Sequence, residues 1–358
     1  PRHRNLKNDN SKINPYIPRE GKNMGDWWSE EIVQSAVNQK STEDVEHPAP
    51  FPGKIVILAV LQTTKEGDLV LDPFCGSAIS IFEAVKANKR AIGFDLNPLS
   101  SFIIEVFTTK FDNKIFKAEV KKIIKEINID ETYREFYTTK SRNSDDIAIV
   151  QSFKWENGEL YELGVNATNN EIQFQKANGR RITKRYVCDP IKSDIILSHN
   201  LDKIKLVNWF PDEKFHDSPS FSANFIQALG GNNFSNLWTR RNLYILSEIF
   251  AKINLVSDDD LKKQLLFGFI QTLHLCTKMS VPRRPSANRP FSTSWGRSAY
   301  LCSARQMEMN PLLVFEGSCL GRQSVESCLT CENLVDLDSS SMAHSTEIAI
   351  KLTKSKLV

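Results

Sequence analysis

No stretch of this 358-residue sequence approaches the roughly 18 consecutive apolar residues needed to cross a bilayer, so no membrane partner is expected. The basic opening, PRHRNLKNDNSK, leads into no apolar segment and does not read as a secretory leader. Cysteine is scarce and odd in number: the seven at positions 75, 188, 276, 302, 319, 328 and 331 are scattered and build no disulfide framework. That usage points to a reducing, cytoplasmic setting. A strong charge imbalance is also lacking, since a net charge of +3 is too small to demand a nucleic-acid partner by itself. A G-x-G-x-x-G loop is missing, which removes the usual nicotinamide-binding signature.

What is present suits a folded chain of one large or two ordinary domains, with 41% apolar and 25% charged residues. Residues 1–46 are polar and read as a lead-in segment. The chain begins at Pro1 and ends in KLTKSKLV, which reads as a fragment cut at both ends. Residues 54–110 alternate between helix and strand patterns, as in an α/β sheet. A helical pattern follows over 111–140, with Ile115, Val120, Ile123, Ile124 and Ile127 at helical spacing. From about 145 to 207, short apolar runs are broken by NG, NATNN and ANGRR, read as turns between strands. Helices are predicted over 238–254 and 258–279, the second opened by three acids that suit a helix N-terminus. Residues 281–300 form a Pro/Arg/Ser-rich loop, and a polar tail follows residue 316. The expected divisions are a lead-in over 1–46, a cofactor-binding part over 47–140, a β-rich insertion over 141–210 and a helical continuation over 211–358.

The chemistry concentrates between Asp68 and Pro98. Leu69, Val70 and Leu71 predict a short buried strand ending in Asp72. Pro73, Phe74, Gly76 and Ser77 supply a turn and a helix start, with Ser77 as the expected cap. The helix is expected to bury Ile81, Phe82 and Val85. A second strand, Ala91 to Phe94, ends in Asp95, 23 residues after Asp72. In doubly wound sheets a nucleotide-like ligand lies across the carboxyl ends of the strands, and an acid ending the second strand takes the ribose hydroxyls. Glycine at 76 lets such a ligand approach the backbone.

The string DPFCGSAISIFEAVKANKRAIGFDLNP resembles the cofactor motif of amino-group DNA methyltransferases, DPF-x-GSGTT followed by G-x-D. It departs at Ala78, where the family usually has glycine, and at Ile79-Ser80, where threonines are common. Alanine is the smallest departure available, and it matters where that residue needs a positive φ. Upstream, His47-Pro48-Ala49-Pro50-Phe51-Pro52 and the expected helix from Lys54 to Leu61 resemble the family's HP-x-x-x-P motif. Asn23 to Trp28, NMGDWW, is similar to its N-P-G-D-V-W segment. Later segments, WFPDEKF (209–215), TRRNLYILSEIF (239–250) and RPFSTSWGRSAYLCSARQMEMNPLLVFE (289–316), look like long bacterial DNA methylases with a large insertion.

The resemblance implies an α/β fold: a Rossmann-like class I methyltransferase sheet with a β-rich insertion and additional helices. It implies S-adenosylmethionine as cofactor, held by His47, Pro48, Asp72, Pro73, Phe74, Gly76, Ser77, Asp95, Asn97 and Pro98. It further implies double-stranded DNA as substrate, methylation of the exocyclic amine of adenine or cytosine, and a restriction endonuclease as partner. The family's catalytic loop, Asp/Asn/Ser-Pro-Pro-aromatic, has no counterpart in the chain. Asn14-Pro15-Tyr16 lacks the second proline, and Asn97-Pro98-Leu99 lacks both the second proline and the aromatic. No catalytic residue is therefore assigned, and an inactive cofactor- or DNA-binding methylase remnant, or an RNA methyltransferase, stands as the alternative. Some such proteins carry a zinc ribbon in the insertion; here only Cys188 lies in that region, and Cys319, Cys328 and Cys331 read as a coincidental grouping, so no metal is expected. The basic clusters at Arg180, Arg181, Lys184 and Arg185, at Arg240 and Arg241, and at Arg283, Arg284 and Arg289 are either solvated surface or phosphate contacts.

Overall fold

The computed structural model describes residues 53–282, 293–295, 300–321 and 324–332. Contacts divide the chain into two units, one formed by residues up to Asp112 together with those from Ser327, the other by Asn113–Glu326. Among the described residues no helix is long and apolar enough to cross a membrane.

The first unit runs α1 (Gly53–Thr63), β1 (Leu69–Asp72), α2 (Ile79–Lys86), β2 (Arg90–Gly93) and α3 (Pro98–Thr108). Strands β1 and β2 pair in parallel, Leu69 opposite Arg90 and Asp72 opposite Gly93. Helix α2 is the crossover that parallel pairing requires. It packs on β2 and β1, and α1 packs on it. Its buried stripe is Ile79, Ile81, Phe82 and Ala84, and Phe82 meets Phe107 of α3 with ring centroids 5.2 Å apart. Two expectations are corrected. Val85 is only half-buried, because the stripe turns toward Ile79 and Ala84. Strand β1 is not buried: Leu69 and Leu71 are 50% and 59% exposed. A parallel strand is enclosed only when both sheet faces are covered, and among the described residues the sheet has two strands.

The second unit opens with α4 (Asn113–Asn128) and α5 (Glu131–Tyr137). Helix α4 buries Phe116, Val120, Ile123 and Ile127, while Ile115 points outward. An antiparallel sheet follows, from β3 (Thr138–Lys140), β4 (Ile147–Glu156), β5 (Glu159–Asn166) and β6 (Arg185–Cys188), in that order. Asn157 and Gly158 join β4 to β5 with φ of 52° and 86°, the two left-handed residues that a type I′ hairpin requires. NATNN is not a turn between strands, however. Thr168 and Glu171 form a capping box that starts α6 (Asn169–Ala177), inserted before β6.

Beyond β6 come α7 (Lys192–His199), α8 (Ala223–Leu229), α9 (Arg240–Asn254) and α10 (Asp259–Leu273). Then follow β7 (Ser280–Pro282), β8 (Thr293–Trp295), β9 (Arg305–Met309), α11 (Pro311–Leu320) and α12 (Val325–Glu332). The acids expected to open α10 do so, Asp258 accepting from the amide of Leu261 at 2.8 Å. Strand β9, within the part expected to be helical, pairs antiparallel with β4 and completes the five-stranded sheet. Helices α4, α9, α10 and α11 pack on one another. Cys319 of α11 is fully buried against Gly268 of α10, where any larger residue would collide with its sulfur.

Buried polar side chains tie the helices to the sheet. Asn242 of α9 accepts from the Tyr137 hydroxyl at 2.5 Å and donates to the carbonyls of Cys276 (2.9 Å) and Met309 (3.1 Å). Asn310 donates to the Val150 carbonyl at 2.9 Å and caps α11 through the amide of Leu312. Glu308 of β9 pairs with Arg241, and accepts from the Thr239 hydroxyl at 2.6 Å and the Trp155 indole at 3.3 Å. The Arg241 guanidinium lies 3.4 Å from the Phe153 ring centroid.

Candidate functional site

The site is built at the carboxyl ends of β1 and β2. Hydrogen bonding continues past the strands: the Phe94 amide donates to the Asp72 carbonyl and the Cys75 amide to the Phe94 carbonyl, each at 2.9 Å. The turn after β1 is thereby held against the turn after β2, and Asp72 and Asp95 come to the same end of the sheet. Gly93 permits this approach, since a Cβ there would meet Cys75 Sγ at 2.9 Å.

Each acid braces a loop. Asp72 accepts from the Phe74 amide at 3.0 Å and from the Ser80 hydroxyl, linking the end of β1 to the first turn of α2. Asp95 accepts from the Gly76 amide through Oδ2 and from the Asn97 amide through Oδ1, both at 2.8 Å. Asn97 in turn caps α3, its Oδ1 accepting from the Leu99 amide at 3.0 Å, with Pro98 in the first helical turn. An ionised carboxylate offers about four acceptor positions. Asp95 therefore keeps lone pairs for donors outside the protein.

The expected role of Ser77 is corrected. Ala78 is the residue that precedes α2, with no side-chain cap, and Ser77 is buried. The hydroxyl that organises this turn belongs to Ser80, at a position where the resembling motif has threonine; the shared hydroxyl was the available signal. Leu96 was also missed. It is 98% exposed beside Asp95, and Phe74 is 85% exposed beside Asp72, so two large apolar side chains flank the acids in the open. Gly76 has φ 51°, the left-handed conformation that glycine adopts without strain. His47 and Pro48 lie outside the described residues, as do the lead-in over 1–46, Phe51, Pro52, most of the loop over 281–300 and the tail beyond 332. The helix expected after the His-Pro element is present as α1 and packs on α2.

Ala78 occupies the conformation in which the substitution for glycine matters: φ is 64° and the residue is fully buried. A left-handed L-residue costs about 1–2 kcal/mol. Glycine would relieve that strain, but it frees the unfolded chain by about 0.4–1 kcal/mol and removes a buried methyl worth about 0.8 kcal/mol. Ala78→Gly is therefore expected to change stability by less than about 1 kcal/mol. Ala78→Val adds a β-branched side chain at positive φ in a filled position, and is expected to cost about 3 kcal/mol or more. Urea unfolding midpoints of the two variants check this, and a valine variant as stable as the parent would contradict the assigned backbone conformation.

Burial and the carboxylates of Asp95 and Asp72 push the Cys75 thiol up to about 12. Such a thiol stays protonated near neutrality and is no nucleophile. Among the described residues no group of three or more His, Cys, Asp or Glu side chains is arranged to hold a metal ion.

The family comparison covers the same region. Residues 2–104 match the family model described as DNA methylase. The type II methyltransferase M.ScaI of Streptomyces caespitosus is 31% identical over 90 residues, covering 25% of this chain and 28% of that protein. The orphan methyltransferase M.BamHII of Bacillus amyloliquefaciens is 40% identical over 63 residues, or 17% of this chain and 24% of its own. The type II methyltransferase M2.DpnII of Streptococcus pneumoniae is 33% identical over 76 residues, or 21% and 27%. The chain thus spans about a quarter of the length of these curated relatives. No solved structure matches. At modest identity and over part of its length, this chain is thus similar to DNA methylases and type II methyltransferases.

Proposed function

We propose that this chain forms the S-adenosylmethionine-binding part of a site-specific DNA methyltransferase that modifies the exocyclic amine of adenine or cytosine in double-stranded DNA. The observation that carries the reading is the meeting of Asp72 and Asp95 at the ends of adjacent parallel strands, across a glycine turn, inside the segment that matches the DNA methylase model. A Rossmann-like class I sheet belongs to the same reading.

The residues suit such a cofactor. Asp95 has free lone pairs for a ribose diol, and Gly76 leaves the backbone open. Leu96 offers a solvent-exposed apolar surface to a purine face beside that acid. Asp72 positions the turn from Pro73 to Ser77 through Phe74 and Ser80, and Asn97 and Pro98 hold the loop after β2 by starting α3. Helix α1, which packs on α2, is assigned to the methionine end of the cofactor, and His47 and Pro48 are assigned there by the resemblance of their motif alone. When bound, the cofactor supplies an electrophilic methyl group on a sulfonium sulfur. The chain's own part is to bind and orient it, while the target base, extruded from the duplex, presents its amine in line. No covalent enzyme intermediate is required, in keeping with the protonated Cys75 thiol.

Isothermal titration with S-adenosylmethionine tests the assignment. Asp95→Ala is expected to weaken binding by about 1–3 kcal/mol through the loss of charge-assisted hydrogen bonds. Leu96→Ala is expected to weaken it by about 1 kcal/mol through lost apolar burial. An Asp95→Ala protein that remains folded by circular dichroism and binds as tightly as the parent would remove the cofactor assignment.

A reading without turnover is favoured by one observation, the missing Pro-Pro-aromatic element. It predicts the same cofactor binding and differs only in methyl transfer.

A further inference from the structure

We propose that the loop between α6 and β6 is a phosphate-contact element that grips the nucleic-acid backbone. The segment from Ile172 to Cys188 holds five cations, Lys176, Arg180, Arg181, Lys184 and Arg185, and no acid. All five are exposed, and none forms an ion pair among the described residues. Like charges so close repel one another, and an ordinary solvated surface intersperses both signs. A polyanion meets several of them at once, and duplex DNA carries one negative charge per about 1.7 Å of axis.

The loop also has a fixed shape. The Thr183 amide donates to Gln175 Oε1 at 2.5 Å, and Gln175 Nε2 donates back to the Thr183 carbonyl at 3.3 Å. The Arg180 amide reaches the Gln175 carbonyl at 2.9 Å, after Gly179 turns the chain at φ 61°. At the far end, the Ala167 amide holds the Lys184 carbonyl at 2.9 Å. Less backbone freedom is lost on binding when the loop is set beforehand. Two apolar side chains stand in the open among the charges: Phe174, 59% exposed with the Arg180 guanidinium 5.7 Å from its ring centroid, and Ile182, 42% exposed. Such a mixture suits a partner with anionic groups and apolar sugar or base edges side by side.

The choice of DNA over other polyanions rests on the methyltransferase reading above, and the test separates the two. Fluorescence anisotropy with a labelled mixed-sequence duplex, repeated over a potassium chloride series, gives affinity and salt slope. For Arg180→Gln/Arg181→Gln/Lys184→Gln, affinity is expected to fall at least tenfold at low salt. The slope of log K against log salt should flatten by about 2–3, at roughly 0.9 per lost phosphate contact. Arg180→Lys/Arg181→Lys, which keeps the charge, should retain the parent slope. Calorimetry with S-adenosylmethionine on the triple variant should match the parent, showing that the cofactor part is intact. If the parent binds duplex and the triple variant matches it in affinity and slope, the loop assignment is overturned and DNA remains the partner. A parent that binds no duplex at any salt overturns both. Binding to phosphatidylserine vesicles in preference to duplex overturns the assignment in favour of a membrane surface.

Discussion

Glu308→Ala is expected to destabilise the fold by about 3–5 kcal/mol, because it strands a buried guanidinium. Glu308 and Arg241 are each 2% exposed, and Arg241 sits between the aromatic rings of Phe153, Tyr137 and Trp155. Glu308 balances that charge and also accepts from Thr239 and Trp155. Removing it leaves a cation without its counter-ion and two donors without an acceptor. Arg241 lies in the first turn of α9 and Glu308 in β9, so the loss falls where helix and sheet are joined. Replacing both charges, as in Arg241→Met with Glu308→Leu, should recover most of the loss, since the cost of burying two ions disappears along with their attraction. Urea denaturation of the single and double variants measures both. A Glu308→Ala protein within about 1 kcal/mol of the parent would mean that Arg241 reaches water when the acid is gone.

Methyl transfer by the 358-residue chain alone is expected to remain at background, even with cofactor bound. The amine of the target base must be gripped and its ring held against an aromatic surface for in-line attack. No Pro-Pro-aromatic element in the sequence provides that pairing of groups. Orientation of reacting groups supplies up to roughly 7–11 kcal/mol of barrier reduction in favourable systems, so cofactor binding without a positioned base leaves most of the acceleration unrealised. Single-turnover assays with labelled S-adenosylmethionine and mixed-sequence duplex DNA decide the matter. Transfer clearly above an enzyme-free control would show that a gripping element exists in the chain, with Asn14 to Tyr16 the first residues to substitute.

Much of the candidate site was legible in the sequence because its determinants are local. The apolar run before Asp72, the glycine turn, the helical spacing of Ile81 and Phe82 and the 23-residue interval to Asp95 specify strand, turn, helix and strand from neighbours a few residues apart. Asn157-Gly158 and Asp258 were equally readable, since a type I′ turn and a helix cap depend on the residue and its immediate backbone. The capping box at Thr168 and Glu171 was available by the same reasoning but was hidden inside a run of turn-forming residues.

The remainder was decided by tertiary structure. Nothing near Glu308 indicates that β9 pairs with β4, or that its carboxylate meets Trp155 from 153 residues away, because strand pairing satisfies backbone groups through partners of any sequence separation. Ala78 reads as a mild substitution until the backbone puts it at φ 64°, in the turn whose Cys75 amide is held by the Phe94 carbonyl. Leu69 and Leu71 read as core by composition, yet burial depends on what covers a sheet face, and composition does not record that. Sequence alone thus determined the local unit that brings two acids to one end of a parallel pair. The tertiary fold decided which of their oxygens are already occupied, which neighbouring apolar groups stay open, and which buried charge the second unit depends on.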